Sequence, residues 1–161
     1  MILVTTGTNG EAFDRLITWA AEAANGEELV VQGGPSALRP VGARCRDYVP
    51  FEELTELIRD ARAVVCHGGV GSILVSILNG KRPLVLPRLA QRGEAVDDHQ
   101  LDLARRLAEV EMVVLVESQV QLRDAILQGS EMSMDRRNAT RSSLVPDLAA
   151  YLDAASGRRV R

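Results

Sequence analysis

Residues 64–100 read VVCHGGVGSILVSILNGKRPLVLPRLAQRGEAVDDHQ, and their order decides the fold. The apolar run Ala63–Cys66 predicts a buried strand, residues 67–72 a glycine-rich turn, and the next residues a helix. A second apolar run over 83–87 predicts another strand. A polar loop follows, and an acidic-His-Gln cluster opens the next helix. This is one strand-helix-strand unit with its polar chemistry at the carboxyl ends of both strands. In open parallel sheets ligands sit at that edge, and backbone N–H groups exposed at a helix N-terminus suit an anion such as phosphate. The expected ligand is a nucleoside diphosphate.

Working outward, the same alternation recurs. Ile2–Thr5 is a β-rich run stopped by Gly7, Thr8, Asn9 and Gly10, after which Phe13, Leu16, Ile17, Ala20 and Ala24 recur at helical spacing. Asn25-Gly26 closes that helix in the manner of a left-handed cap. Leu29–Gln32 is a second strand, and residues 44–49 hold a further short one. Pro50 suits a helix start, with Phe51, Leu54, Leu57, Ile58 and Ala61 as the apolar stripe. In the helix after the glycine turn, Val70, Ile73, Leu74, Ile77 and Leu78 lie on one face and Ser72, Val75, Ser76 and Asn79 on the other. Beyond the cluster, residues 97–109 form a helix, 112–116 a strand and 119–127 a helix. The predicted fold is α/β, a Rossmann-like, mainly parallel sheet with helices on both faces. Residues 1–129 form the ligand-binding domain, and residues 130–161 add a polar segment and a last helix, over 144–155, packed on the same domain.

The 161 residues are 46% hydrophobic, enough for one domain with a proper core. A net charge of -3 and 3% aromatics argue against a nucleic-acid protein, which carries a basic face and stacking rings. Cys45 and Cys66 have neither CxxC nor zinc-type spacing, so neither a disulfide nor a metal site is expected. The start, MILVTTGT, lacks the features of a signal peptide, and no apolar run approaches the length of a membrane helix. The expectation is a soluble, cytoplasmic chain.

Three nucleotide signatures fail. Gly80-Lys81 is followed by Arg82, so there is no P-loop. The first turn, GTNGEAF, lacks the GxGxxG spacing, and the second strand is not closed by an acidic residue that could hold a ribose. No HxE with PCxxC occurs, so zinc deaminases are excluded. Each remaining residue has a structural reading: residues 68–71 as a tight turn, Asp97 or Asp98 as a helix cap, His67 as a satisfied polar side chain. Their convergence on two adjacent strand ends favours a site. The glycines allow close approach to a diphosphate, Ser72 offers a hydroxyl, Arg88 offers neutralising charge, and Asp98 and Gln100 suit sugar hydroxyls.

The segments HGGVGS, the proline-flanked strand and EAVDDHQ resemble the C-terminal, donor-binding half of GT-B glycosyltransferases of the MurG type, glycosyltransferase family 28. The start, LVTTGTNGEAFDRLI, with PRLAQRGEAVDDHQLDLA, is similar to the small subunit of bipartite UDP-sugar transferases of exopolysaccharide assembly. The resemblance covers about residues 1–127. It implies a hexosyltransferase active with a membrane-associated, acceptor-binding partner subunit, moving a sugar from a UDP-sugar to a lipid-linked acceptor at the inner face of the membrane. No DxD stands at a strand end, so no obligatory metal is expected; nor is a cofactor beyond the UDP-sugar donor, nor a catalytic residue in this chain, because the base belongs on the acceptor side. Homodimerisation of the isolated subunit is a further expectation.

By position, the resemblance carries the donor phosphates to His67, Gly68, Gly69, Gly71 and Ser72, and the glycine-bearing first loop and the charge of Arg88 add Gly7, Thr8 and Arg88 to that set. The resemblance carries the donor sugar to Glu94, Asp98, His99 and Gln100, and the base and ribose to the neighbourhood of Val49, Phe51 and Ser76. One position departs from the family pattern: Val75 stands where MurG-type enzymes place a ribose-binding Glu, and Val cannot accept a hydrogen bond. A stand-alone homo-oligomeric glycosyltransferase and a nucleotide-sugar-binding regulatory protein are the alternatives. The first lacks a sequence signal for an acceptor surface, and the second would not need the cluster at residues 94–100.

Overall fold

The computed structural model describes residues 1–128. The proposed last helix and the rest of residues 129–161 lie outside the described residues. Among the described residues six strands form one parallel sheet in the order β3-β2-β1-β4-β5-β6. These are β1 (Ile2–Thr5), β2 (Leu29–Gln32), β3 (Arg44–Arg46), β4 (Ala63–Cys66), β5 (Leu84–Val85) and β6 (Val114–Leu115). The helices are α1 (Asp14–Ala24), α2 (Phe51–Asp60), α3 (Val70–Leu78), α4 (His99–Glu109) and α5 (Gln119–Gln128), with a 3₁₀ turn at Ala90–Arg92. None of them is long and apolar enough to cross a membrane.

The central strands β1 and β4 and their neighbour β2 read as nearly continuous apolar runs because the sheet is covered there on both faces, whereas the edge strand β3, RCR, is largely exposed. Ile2 and Val4 of β1, Val65 of β4 and Leu84 of β5 point to the side covered by α1 and α5, where Phe13, Leu16, Ile17, Leu122 and Ile126 are buried. Their strand neighbours Leu3 and Val64 meet Ile58 of α2 on the opposite face. Cys66 and Val85 meet Ile73 and Ile77 of α3 with Leu103 and Leu107 of α4. The period of two along each strand thus splits one apolar run between two cores.

α1 ends where the sequence indicates, at Asn25 with a left-handed φ of 46° followed by Gly26 at 85°. Several boundaries and faces differ from expectation: β3 covers Arg44–Arg46 rather than 44–49, β6 covers Val114–Leu115 rather than 112–116, and α4 starts at His99 rather than at 97. The ladder at β5 covers only Leu84–Val85, because Pro83 and Pro87 cannot donate to it. On α3 the buried side chains are Ile73, Ser76 and Ile77, whereas Leu78, assigned to the apolar face, is 56% exposed. Phe51, expected in the α2 stripe, is 66% exposed, and Ile58 is the residue that α2 buries fully.

The strand order reverses between β1 and β4. From β1 the chain winds outward through β2 to β3, and from β4 it winds the other way through β5 to β6. Thr5 pairs with Cys66 at the carboxyl ends of these two central strands. The two turns that leave them diverge to opposite faces, and a doubly wound sheet of this kind places its ligand crevice between such turns.

Candidate functional site

The crevice is walled by residues 6–12 after β1 and residues 67–72 after β4. His67 links them. Its backbone N–H donates to the Thr5 carbonyl at 3.2 Å, and its buried ring lies so close to both turns that neither tolerates a side chain. A Cβ on Gly7 would stand 2.3 Å from the ring's Cε1, and one on Gly69 would stand 2.1 Å from Nε2. Gly7 also has a φ of +79°, the left-handed region that favours glycine. A Cβ on Gly68 would meet the Gln100 Cβ at 2.6 Å. Three of the glycines assigned to close phosphate approach therefore have a first duty to packing. Gly71 is different: a Cβ there meets nothing within 4 Å, and the residue is exposed.

Gly71 and Ser72 lie in the first turn of α3. The first backbone bond at this end is Ile73 N–H to the Gly69 carbonyl, and no side chain caps the helix. The N–H groups of Val70, Gly71 and Ser72 thus form the positive end of the helix at the crevice. Beside them, His67 Nδ1 is buried with no hydrogen-bond partner. Burial, and secondarily the charge of Arg88, push the His67 pKa down to about 4, so the imidazole is neutral at physiological pH.

Several residues assigned to ligand contact have other partners. Arg88 is fully buried. Its two terminal nitrogens donate to the carbonyls of Ala12 at 3.1 Å, Glu94 at 3.3 Å, Thr6 at 3.3 Å and Glu11 at 2.9 Å, and its guanidinium lies 4.5 Å from the centre of the Phe13 ring. All four terminal N–H groups meet carbonyls of the chain itself, while the buried Nε has no hydrogen-bond partner, so the guanidinium stands engaged with the two loops. Glu94 is likewise engaged: Arg15 grips both carboxylate oxygens at 2.7 and 2.6 Å, and the Leu89 N–H donates to Oε2 at 3.1 Å. That carboxylate braces a loop instead of facing a sugar. Ser76 is fully buried beneath the turn, with its hydroxyl donating to the Ser72 carbonyl at 2.7 Å, so it cannot flank a ribose.

Gln100 stands at the floor of the site. Its Oε1 accepts the backbone N–H of Gly68 at 3.1 Å and of Arg88 at 3.2 Å, which leaves the Nε2 amide as the part of the side chain able to bond a sugar hydroxyl. Asp98 is exposed and uses Oδ1 to accept the Ala90 N–H at 2.9 Å. Asp97 receives the His99 N–H at 3.1 Å and lies 2.8 Å from His99 Nδ1. Thr8 and Phe51 are exposed, and Val49 is half-buried.

Gln32 and Arg15 were not singled out by the sequence reading. The buried Gln32 Nε2 donates to the carbonyls of Gly7 and Asp47, each at 2.9 Å, and its Oε1 accepts the Thr5 hydroxyl at 2.5 Å. It ties the first turn to the segment that leads into Val49 and Phe51. A polar residue ending the otherwise apolar run LVVQ is the one signal that could have found it. Arg15 offers no comparable signal, since Glu94 lies 79 residues away in sequence.

Among the described residues no cluster of three or more His, Cys, Asp or Glu side chains could hold a metal ion. The chain matches the glycosyltransferase family 28 C-terminal domain over residues 1–152. No curated protein sequence matches it significantly. Its structure is similar to that of the glycotransferase of kitacinnamycin, with 21% identity and a TM-score of 0.64, over 93% of this chain and 39% of that one. It is similar also to CalG4, the calicheamicin glycosyltransferase, with 17% identity and a TM-score of 0.61, over 96% of this chain and 43% of that one. The chain thus spans about two-fifths of the length of these proteins, and the likeness shows the fold of a GT-B C-terminal half. The chain belongs to glycosyltransferase family 28, as its C-terminal, sugar-donor-binding domain.

Proposed function

We propose that the chain binds a UDP-sugar in the crevice between the β1 and β4 turns and presents it to an acceptor held by a separate, membrane-associated subunit. The sugar then passes to a lipid-linked acceptor in exopolysaccharide or related glycan assembly. The observation that carries the reading is the uncapped N-terminus of α3, open at Gly71 and placed where the strand order reverses. In this reading the diphosphate lies against the N–H groups of Val70, Gly71 and Ser72. Negative charge grows on the UDP leaving group as the glycosidic bond breaks, and those fixed dipoles stabilise it. His67, neutral, supplies hydrogen bonding without charge. Asp98 and the Nε2 amide of Gln100 bind the sugar, and Val49 and Phe51 flank the uracil. The acceptor base comes from the partner, which with this chain completes the cleft at the inner face of the membrane.

Calorimetry with UDP tests the donor site. Gly71→Val projects its side chain into open space without disturbing His67, so it should fold and lose UDP affinity at least tenfold. Wild-type affinity in a folded Gly71→Val would place the diphosphate elsewhere.

A further inference from the structure

Arg88 joins two loops that are distant in sequence. Three of its acceptors, the carbonyls of Thr6, Glu11 and Ala12, belong to the turn after β1, and the fourth, Glu94, belongs to the loop after β5. Its own backbone N–H donates to Gln100 Oε1, which also holds the N–H of Gly68. One side chain and one backbone group therefore reach the β1 turn, the β5 loop and, through Gln100, the β4 turn. The ring of Phe13 below the guanidinium fixes its plane.

We propose that Arg88 is a positioning residue that clasps the β1 turn to the β5 loop and so holds the crevice in its binding geometry without touching the ligand. The consequence for affinity rests on the donor-binding reading above, whereas the clasp itself does not. A forked guanidinium meets four carbonyls at once, and the point charge of a lysine cannot. Charge alone is therefore insufficient at this position.

The test compares the full chain with Arg88→Lys and Arg88→Met by amide hydrogen exchange and by UDP calorimetry. In both variants residues 6–12 and 89–95 should exchange together at least tenfold faster, while β1 and β4 keep wild-type rates. The UDP dissociation constant should rise about tenfold in both. Should Arg88→Met fail to fold, Arg88→Lys carries the test. Wild-type UDP affinity in Arg88→Lys would show a charge acting on the ligand and overturn the proposal. Acceleration of one loop alone, or of the strands equally, would overturn it as well. If the wild-type chain binds no UDP, the donor reading fails, and the exchange pattern still decides whether the clasp exists.

Discussion

The side-chain oxygen of Gln100 accepts the backbone N–H of Gly68 at 3.1 Å, so the start of α4 is fastened to the first residue of the glycine turn proper. Arg88 N–H shares the same oxygen. Gln100→Ala leaves two buried donors unsatisfied, which costs about 2 kcal/mol. It should weaken UDP binding as well as sugar transfer, because the turn loses its anchor. Gln100→Glu keeps an oxygen that can accept both N–H groups and should restore stability. Urea unfolding and calorimetry read these outcomes, and UDP affinity unchanged in folded Gln100→Ala would make the tie dispensable.

The sequence places its polar clusters at two neighbouring strand ends, but it does not tell which of those side chains already have partners in the fold. Glycines, continuous apolar strands and the DDHQ cluster are local signals, and the strand-helix-strand unit follows from them. Arg88 and Glu94 find partners on α1 and the β1 turn, at separations that no local pattern records, as well as within the loop after β5. Ser76 was misplaced for a related reason. A hydroxyl that bonds its own helix four residues back is satisfied internally and can turn into the core, so its polarity said nothing about its face. The glycines were read as points where a diphosphate could approach, and the group that stands close to Gly7 and Gly69 in the structure is the His67 ring.

His67 makes stability depend on pH in a defined window. Its folded pKa of about 4 lies below the ordinary value of 6.5, owing to burial and then to Arg88. Between those values the unfolded chain takes up a proton that the folded chain refuses. The contribution is fully present above pH 6.5 and is lost as pH falls toward 4, with a slope of about 1.4 kcal/mol per pH unit. The stability difference between the wild type and His67→Asn should be constant above pH 6.5 and shift against the wild type below it. Thermal unfolding from pH 4 to 8 measures it; a difference flat across that range would contradict the buried neutral imidazole.

Arg15 and Glu94 form a bidentate pair that is largely buried, with side chains 9% and 13% exposed. Arg15 Nη2 also donates to the Pro87 carbonyl at 2.8 Å, so α1 is pinned to the end of β5 and to the loop beyond it. Removing one partner strands the other charge, and Arg15→Met or Glu94→Gln should each destabilise the fold on the order of 3 kcal/mol. The double variant should lose less than the sum. Denaturant titration of the three variants tests this. Wild-type stability in Glu94→Gln combined with lost transfer would return Glu94 to the sugar.

Transfer should need a second chain. The carboxyl edge of the sheet carries exposed apolar side chains near the crevice segments, including Tyr48 and Phe51 after β3 and Val96 after β5. Exposed apolar surface beside a binding cleft suits a partner that completes the cleft. Donor recognition and acceptor activation also make different demands: the first uses fixed N–H dipoles, and the second needs a base within reach of the acceptor hydroxyl. The assignments above give this chain the first of these roles only. The purified chain should bind UDP yet transfer no radiolabelled sugar to a membrane lipid extract until a membrane fraction containing the partner is added. Val96→Asp, which changes an exposed residue outside the core, should weaken that association while leaving stability within about 0.5 kcal/mol. Robust turnover by the chain alone would replace the two-component reading with a homo-oligomeric enzyme whose acceptor wall comes from a second copy.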